Sequence, residues 1–212
     1  MPEPVAKDRG TGHRATAAIS SNAAVNRAAQ RIRQVLAASP VPEDPGHAEN
    51  TLLWLLRMHP AAGDALRLAA LAHDIERARP DRLQRHQFGD YDTFKQAHAD
   101  EGADIADGIL AAAGVAAGVR AAVRNLIRRH ETGGDPDSDL LRDADSLSYF
   151  DHNLPLYHAR EGYAETLRRA RWGYARLSQR ARHFYRQIQH EDGRLNQLLA
   201  EACDGRLDAT GA

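Results

Sequence analysis

The stretch Leu68-Ala69-Ala70-Leu71-Ala72-His73-Asp74-Ile75-Glu76-Arg77 constrains this chain more than any other, because an apolar helical run ends there in an adjacent imidazole and carboxylate. On a helix Leu66, Ala69, Ala70 and His73 fall at i, i+3, i+4 and i+7, so the His73 ring points where the core residues point. Asp74, about 100° further round, reaches the same region from the edge of that face. Burying a neutral imidazole and an ionised carboxylate without partners costs several kcal/mol for each group. A divalent metal satisfies both at once. The alternative is a histidine donating to a backbone carbonyl beside an Asp in a C-terminal turn.

Further histidines recur at comparable positions. Asp44-Pro45 predicts a helix start, the carboxylate accepting free N–H groups and proline suiting the first helical position. His47 then lies in the first turn, where the helix dipole disfavours imidazolium and keeps the ring able to bind metal; an exposed first-turn histidine is the other reading. A helix predicted over about 93–113 carries Phe94, His98, Gly102, Ile105 and Ile109 on one face. Another over 115–130 carries Val119, Val123, Leu126, Ile127 and His130. Gly133-Gly134-Asp135-Pro136 breaks the chain, and Asp137 or Ser138 starts a helix containing Asp143 and Asp145. A single inward histidine is ordinarily a satisfied core residue, but three apolar stripes each holding one point beyond packing.

The remaining segments frame these helices. Residues 1–20 show no sustained period and read as a disordered or loosely attached tail, after which Ser21 or Asn22 caps a helix ended by Ser39-Pro40. Between Arg77 and Asp92 the period lapses into a polar connection of roughly fifteen residues, long enough for a lid, in which His86 either takes part or is simply exposed. Beyond Asp151 the chain predicts additional helices over about 157–171, 172–189 and 195–203, densest in charge at Arg168-Arg169-Ala170-Arg171-Trp172. Such a basic, aromatic helix serves as solvated surface, as a contact for substrate phosphate, or as an RNA-binding face.

Composition selects among these. Ala, Leu and Arg dominate while β-branched and aromatic residues are sparse, which favours an all-α fold. With 212 residues, 42% of them hydrophobic, there is material for one sizeable core rather than two. A net charge of −1 gives no global electrostatic reason for a nucleic-acid or anionic-membrane partner. One cysteine, Cys203, excludes an intrachain disulfide and a cysteine-rich zinc site. No apolar run approaches the ~18 residues that span a bilayer and no apolar signal region opens the chain, so the expectation is a cytoplasmic protein without a membrane partner.

The order His47, then His73-Asp74, then Asp145 resembles the HD superfamily of metal-dependent phosphohydrolases. The matching segments are Gly46-His47-Ala48-Glu49-Asn50, Leu71-Ala72-His73-Asp74-Ile75 and Asp143-Ala144-Asp145-Ser146-Leu147. The resemblance implies an HD-domain-like helical bundle over 21–151, with the C-terminal helices of 152–212 packed on it. It implies His47, His73, Asp74 and Asp145 as metal ligands, a set that suits Mn, Fe, Co, Ni or Zn. Asp145 matches the acid of an Ala-Asp-X-Leu tetrad, which leaves Asp143 to orient a histidine ligand from behind. His98 and His130 are implied as contacts for a second metal or for phosphate, and Asp74 as an acid that can bridge two ions. The implied activity is attack of metal-activated water on a phosphomonoester or nucleotide, a small phosphorylated substrate, with Asp74 nearest the nucleophile. Small HD nucleotidases carry an acid three residues after the doublet, where Arg77 stands here; Glu76, one place short, is expected as a base or supporting acid. Lys95, Arg128 and Arg129 flank the inward histidines and are candidates for neutralising substrate phosphate. Arg129 also replaces a histidine of the HD enzymes that cleave cyclic dinucleotides, and their Gly-Tyr-Pro tripeptide is missing. The alternative from another class is a non-catalytic HD-like module that binds a nucleotide or a protein.

Overall fold

Side chains that satisfy the first free backbone N–H groups decide where most of the helices begin. The computed structural model describes residues 18–204. Its helices are α1 (Ala23–Ala37), α2 (Asp44–Met58), α3 (Asp64–Ala72), α4 (Tyr91–Ala112), α5 (Ala117–Arg129), α6 (Pro136–Ser148), α7 (Leu154–Arg176), α8 (Gln179–Tyr185) and α9 (Gly193–Cys203). Asn22 caps α1, its side-chain oxygen accepting from Ala24 and Val25 N–H at 2.9 and 3.4 Å. Asp90, Asp135, Ser178 and Asp192 cap α4, α6, α8 and α9 in the same manner. The fold is all-α, with no strand among the described residues. No helix among them is long and apolar enough to cross a membrane.

Several boundaries differ from expectation for local reasons. Asp44 does not cap α2; its carboxylate accepts from Ser39 Oγ at 2.6 Å and pairs with Arg77 at 3.0 Å, tying the helix start to the residue just past the His-Asp doublet. Asp135, not Asp137 or Ser138, caps α6, because Pro136 suits the first helical position. The chain runs helical through 171, where a break was expected; the interruption in α7 is instead at Gly162, where two helical stretches meet at a kink whose φ of 78° is one that glycine adopts without strain. Most of the expected tail lies outside the described residues, but 18–20 are not loose. Ile19 is buried, Ile19 and Ser20 N–H donate to Asn26 Oδ1 at 2.9 and 3.1 Å, and Arg67 donates to the Ile19 carbonyl.

α3 is the centre of the packing. Leu68, Ala69, Ala70, Leu71 and Ala72 are all fully buried, and α1, α2, α5 and α6 surround them. A stretch enclosed on every side must be apolar all round, as 68–72 is, and its alanines let the neighbours approach closely. α3 stops at Ala72, so His73 and Asp74 occupy the turn into a short 3-10 segment, Ile75–Ala78. The doublet therefore emerges from the end of the most buried helix. The C-terminal helices add to the same core: Phe150, Leu154, Ala170, Leu177 and Tyr185 join the cluster that contains Leu68 and Leu71.

Candidate metal centre

Helices α2, α4 and α6, the end of α5 and the turn after α3 bring the chemistry together. His47, in the first turn of α2, places Nε2 3.1 Å from Asp145 Oδ1 and 3.2 Å from His73 Nε2, while His73 Nε2 lies 3.5 Å from the same oxygen. The ring nitrogens behind are already engaged. His73 Nδ1 donates to the Ala70 carbonyl at 3.0 Å. His47 Nδ1 lies 2.9 Å from Ser148 Oγ, whose own proton goes to the His47 carbonyl at 3.0 Å. Two Nε2 atoms thus face each other and a carboxylate oxygen. Donors about 2.1 Å from one ion stand about 3.0–3.4 Å apart in octahedral or tetrahedral arrangement, which matches these separations.

A second group adjoins the first. His98, on α4, places Nε2 3.0 Å from Asp74 Oδ1, and His130, just past α5, places Nε2 3.9 Å from that oxygen. His130 Nδ1 donates to the Ile127 carbonyl at 2.7 Å, and His98 Nδ1 to Glu76 Oε2 at 2.7 Å. Within each of the groups His47, His73, Asp145 and Asp74, His98, His130 the donor atoms lie within 4.8 Å of one another. Asp74 faces both: its Oδ2 is 3.9 Å from His47 Nε2 and 3.8 Å from His73 Nε2, and also accepts from Arg77 at 2.8 Å.

The electrostatics reflect a gap that attracts cations. Burial alone lowers the His73 imidazole, but the Asp74 and Asp145 carboxylates outweigh it and raise it to about 9. Burial likewise opposes, and Asp74 and Glu76 outweigh, a rise of His98 to about 10. Burial of Asp74 is overcome by the charges of His73 and Arg77, and that of Asp145 by hydrogen bonding to His47 and His73; both acids are held well below the usual carboxylate range. Burial pushes His130 down against the pull of Glu131. With the Nδ1 protons fixed behind, the gap accepts either extra protons on Nε2 or a metal in their place.

The other candidate residues divide. Glu76 is buried behind His98, and its second oxygen accepts the Leu83 N–H at 2.5 Å, so both oxygens are occupied and the side chain positions His98 instead of serving as a free base. Asp143 orients no histidine; it accepts from Ser178 N–H and Oγ at the start of α8. Ser148 does that work for His47, and the signal for it was its place three residues after Asp145 on one helix face. Lys95 borders the cavity over the centre. Arg128 and Arg129 do not: Arg128 pairs with Asp100 at 2.9 Å, and Arg129 donates to the Gly133 carbonyl and faces Asp135. His86 is exposed and lies outside the cavity lining.

The cavity itself holds about 350 Å³ and is bordered by His47, Asp74, His98 and Asp145, a volume within the range of small-molecule sites. The polar connection after the doublet contributes Arg82, Leu83, Gln84 and Arg85 to its wall. A π-helical turn, Tyr149–Asn153, follows α6 and is anchored by Asp151, which accepts from Asn50 and Trp54 at 3.1 Å each. It sets Tyr149 beside Arg169, Trp172 and Arg176 of α7 in the same lining. Extra-residue turns of this kind recur at functional sites. The basic stretch of α7 is thus divided: Arg168 pairs outward with Glu165, while Arg169 and Arg176 border the cavity. No match was found among curated proteins or solved structures. One family model does match, over residues 14–198, a span that contains both donor groups and the cavity wall: the chain belongs to the family described as Domain of unknown function (DUF4202).

Proposed function

We propose that this protein is a metal-dependent phosphohydrolase acting on a phosphomonoester or nucleotide, in keeping with its resemblance to the HD superfamily. One observation carries the reading. Four imidazoles from four separate elements present Nε2 to one gap, each with Nδ1 engaged behind, and two carboxylates enter the same gap. Histidines that serve packing alone have no need of this shared orientation, whereas metal ligands require it.

His47, His73 and Asp145 would hold one divalent ion, and Asp74, His98 and His130 a second; these nitrogen-rich sets suit Mn, Fe, Co, Ni or Zn better than Mg or Ca. When bound, such an ion supplies a Lewis acid for a phosphoryl oxygen and lowers the pKa of water toward neutrality. The chain's own groups bind and orient. Asp74, facing both groups, keeps them in register. Lys95, Arg82 and Arg85 at the cavity wall offset substrate charge, and Tyr91, Phe94 and Trp172 displace water from it. Purified protein is expected to carry about two ions per chain and to release phosphate from a nucleotide and phosphomonoester panel with added Mn²⁺ or Co²⁺. Asp74→Ala is expected to stop release while circular dichroism shows the helices intact. Bound metal without turnover across the panel supports the non-catalytic binding module instead, and absence of metal affinity removes the reading.

A further inference from the structure

We propose that the α7 side of the cavity binds a second anionic group of the substrate, a phosphate or carboxylate distinct from the phosphate that reacts, and that Arg169 is its reader. The assignment rests on the hydrolase reading for the fate of the first phosphate, but its own support is separate.

Arg169 is a half-buried guanidinium held by aromatic rings. Its central carbon lies 5.1 Å from the Tyr149 ring centroid, 5.5 Å from that of Tyr157 and 5.9 Å from that of Trp172. Such contacts orient the planar group without using up its N–H donors toward an acid. Arg77, Arg160, Arg168 and Arg176 each pair with a carboxylate. For Arg169 no carboxylate lies within ion-pair reach among the described residues, and Glu165, whose charge it feels, is gripped by Arg168 at 2.8 and 2.6 Å. Beside it the buried Tyr149 hydroxyl has no hydrogen-bond partner among the described residues. Arg169 meets phenols and, among the described residues, no carboxylate, and both groups border one cavity, so their remaining donor capacity suits an acceptor-rich anion.

This place differs from the metal centre. Asp74 and Asp145 contact the histidines and Arg77, whereas Arg169 lies over the rings of Tyr149 and Tyr157. Arg169, Tyr91 and Trp172 border both the cavity and a shallow depression outside it; the histidines border only the cavity. Lys95 Nζ lies 5.2 Å from the Tyr91 ring centroid on the same side, where it pairs with the exposed Asp92 at 3.1 Å. A substrate spanning the two places carries two anionic groups.

The test uses the full chain and paired probes: adenosine 5′-monophosphate against adenosine 3′,5′-bisphosphate, and glycerol 3-phosphate against 3-phosphoglycerate. Affinity is read by titration calorimetry and turnover by phosphate release with Mn²⁺. Wild type is expected to favour the doubly anionic member of at least one pair by about tenfold or more, and the pair that shows it tells phosphate from carboxylate. Arg169→Met is expected to erase the preference while single-anion affinity stays within about twofold, and Arg169→Lys to restore it only in part because the fork is lost. An Arg169-dependent preference without phosphate release from any probe keeps the subsite and sinks the hydrolase reading. No preference in wild type overturns the proposal. So does an equal loss on both members of each pair in Arg169→Met and Arg169→Lys, which would place Arg169 on the reacting phosphate or in packing alone.

Discussion

The group formed by His47, His73 and Asp145 and the group formed by Asp74, His98 and His130 use the same residue types but are held differently. In the first, donor separations run from 3.1 to 3.5 Å, and the rings are backed by the Ala70 carbonyl and the Ser148 hydroxyl, both on helices packed into the core. In the second, separations from Asp74 Oδ1 are 3.0 and 3.9 Å, and His98 is backed by Glu76, whose other oxygen accepts from Leu83 in the polar connection. The first group inherits the rigidity of the core; the second inherits the freedom of a connection that also forms the cavity wall. The first is therefore expected to bind metal more tightly, and the second to respond to whatever moves residues 77–90.

The largest expected effect is that of Asp74→Ala, which touches both groups. Removing a partner behind a ligand costs about 10–100-fold in metal affinity, so removing a shared ligand is expected to cost more than about 100-fold in kcat/KM and to weaken both phases of a metal titration. Loss confined to one phase would break the idea of a shared acid. Next come two substitutions that separate the groups. Glu76→Gln is expected to weaken the looser phase about 10–100-fold and leave the tighter one unchanged, while Ser148→Ala does the reverse by about tenfold. Phases that move together in either variant would show a single coupled site.

The pH dependence sharpens the comparison further. In the metal-free protein His73 is raised to about 9 and His98 to about 10, so both rings carry an extra proton at neutral pH that metal must expel. Metal affinity is expected to rise with pH, levelling above about 9 for the first group and above about 10 for the second. Because these pKa values are raised, the stability they lend the metal-free fold is complete below the ordinary histidine value and is lost as pH climbs through about 9 and then 10. Metal titrations and urea melts from neutral to alkaline pH read both; affinity independent of pH would contradict the assigned protonation. The smallest effect is expected at Arg128 and Arg129, whose alanine variants should change kcat/KM by less than about twofold, since their partners lie outside the cavity.

The helical framework was legible in the sequence. The periods that place His73, His98 and His130 on apolar stripes are local and survive folding, and all three rings are buried. Helix content was equally legible from composition. What escaped were choices settled by contacts between distant segments. Asp143 and Asp145 are two residues apart on one helix, and only the positions of His47 and Ser178 decide which one faces the histidines. Ser148 and His47 are separated by 101 positions, and Glu76 acquires its role from where α4 places His98. Arg169 stood within a stretch noted for its charge, yet nothing local told it from Arg168, which turns outward to Glu165.

The most direct measurement is anomalous X-ray diffraction from crystals grown with Mn²⁺ or Co²⁺. Two peaks about 3.5–4 Å apart are expected, one at the His47, His73 and Asp145 donors and the other at His98 and His130, with Asp74 reaching toward both. Crystals that show no peak at these residues, with the four Nε2 atoms still facing one another at saturating metal, would contradict the central claim that this gap is built for cations.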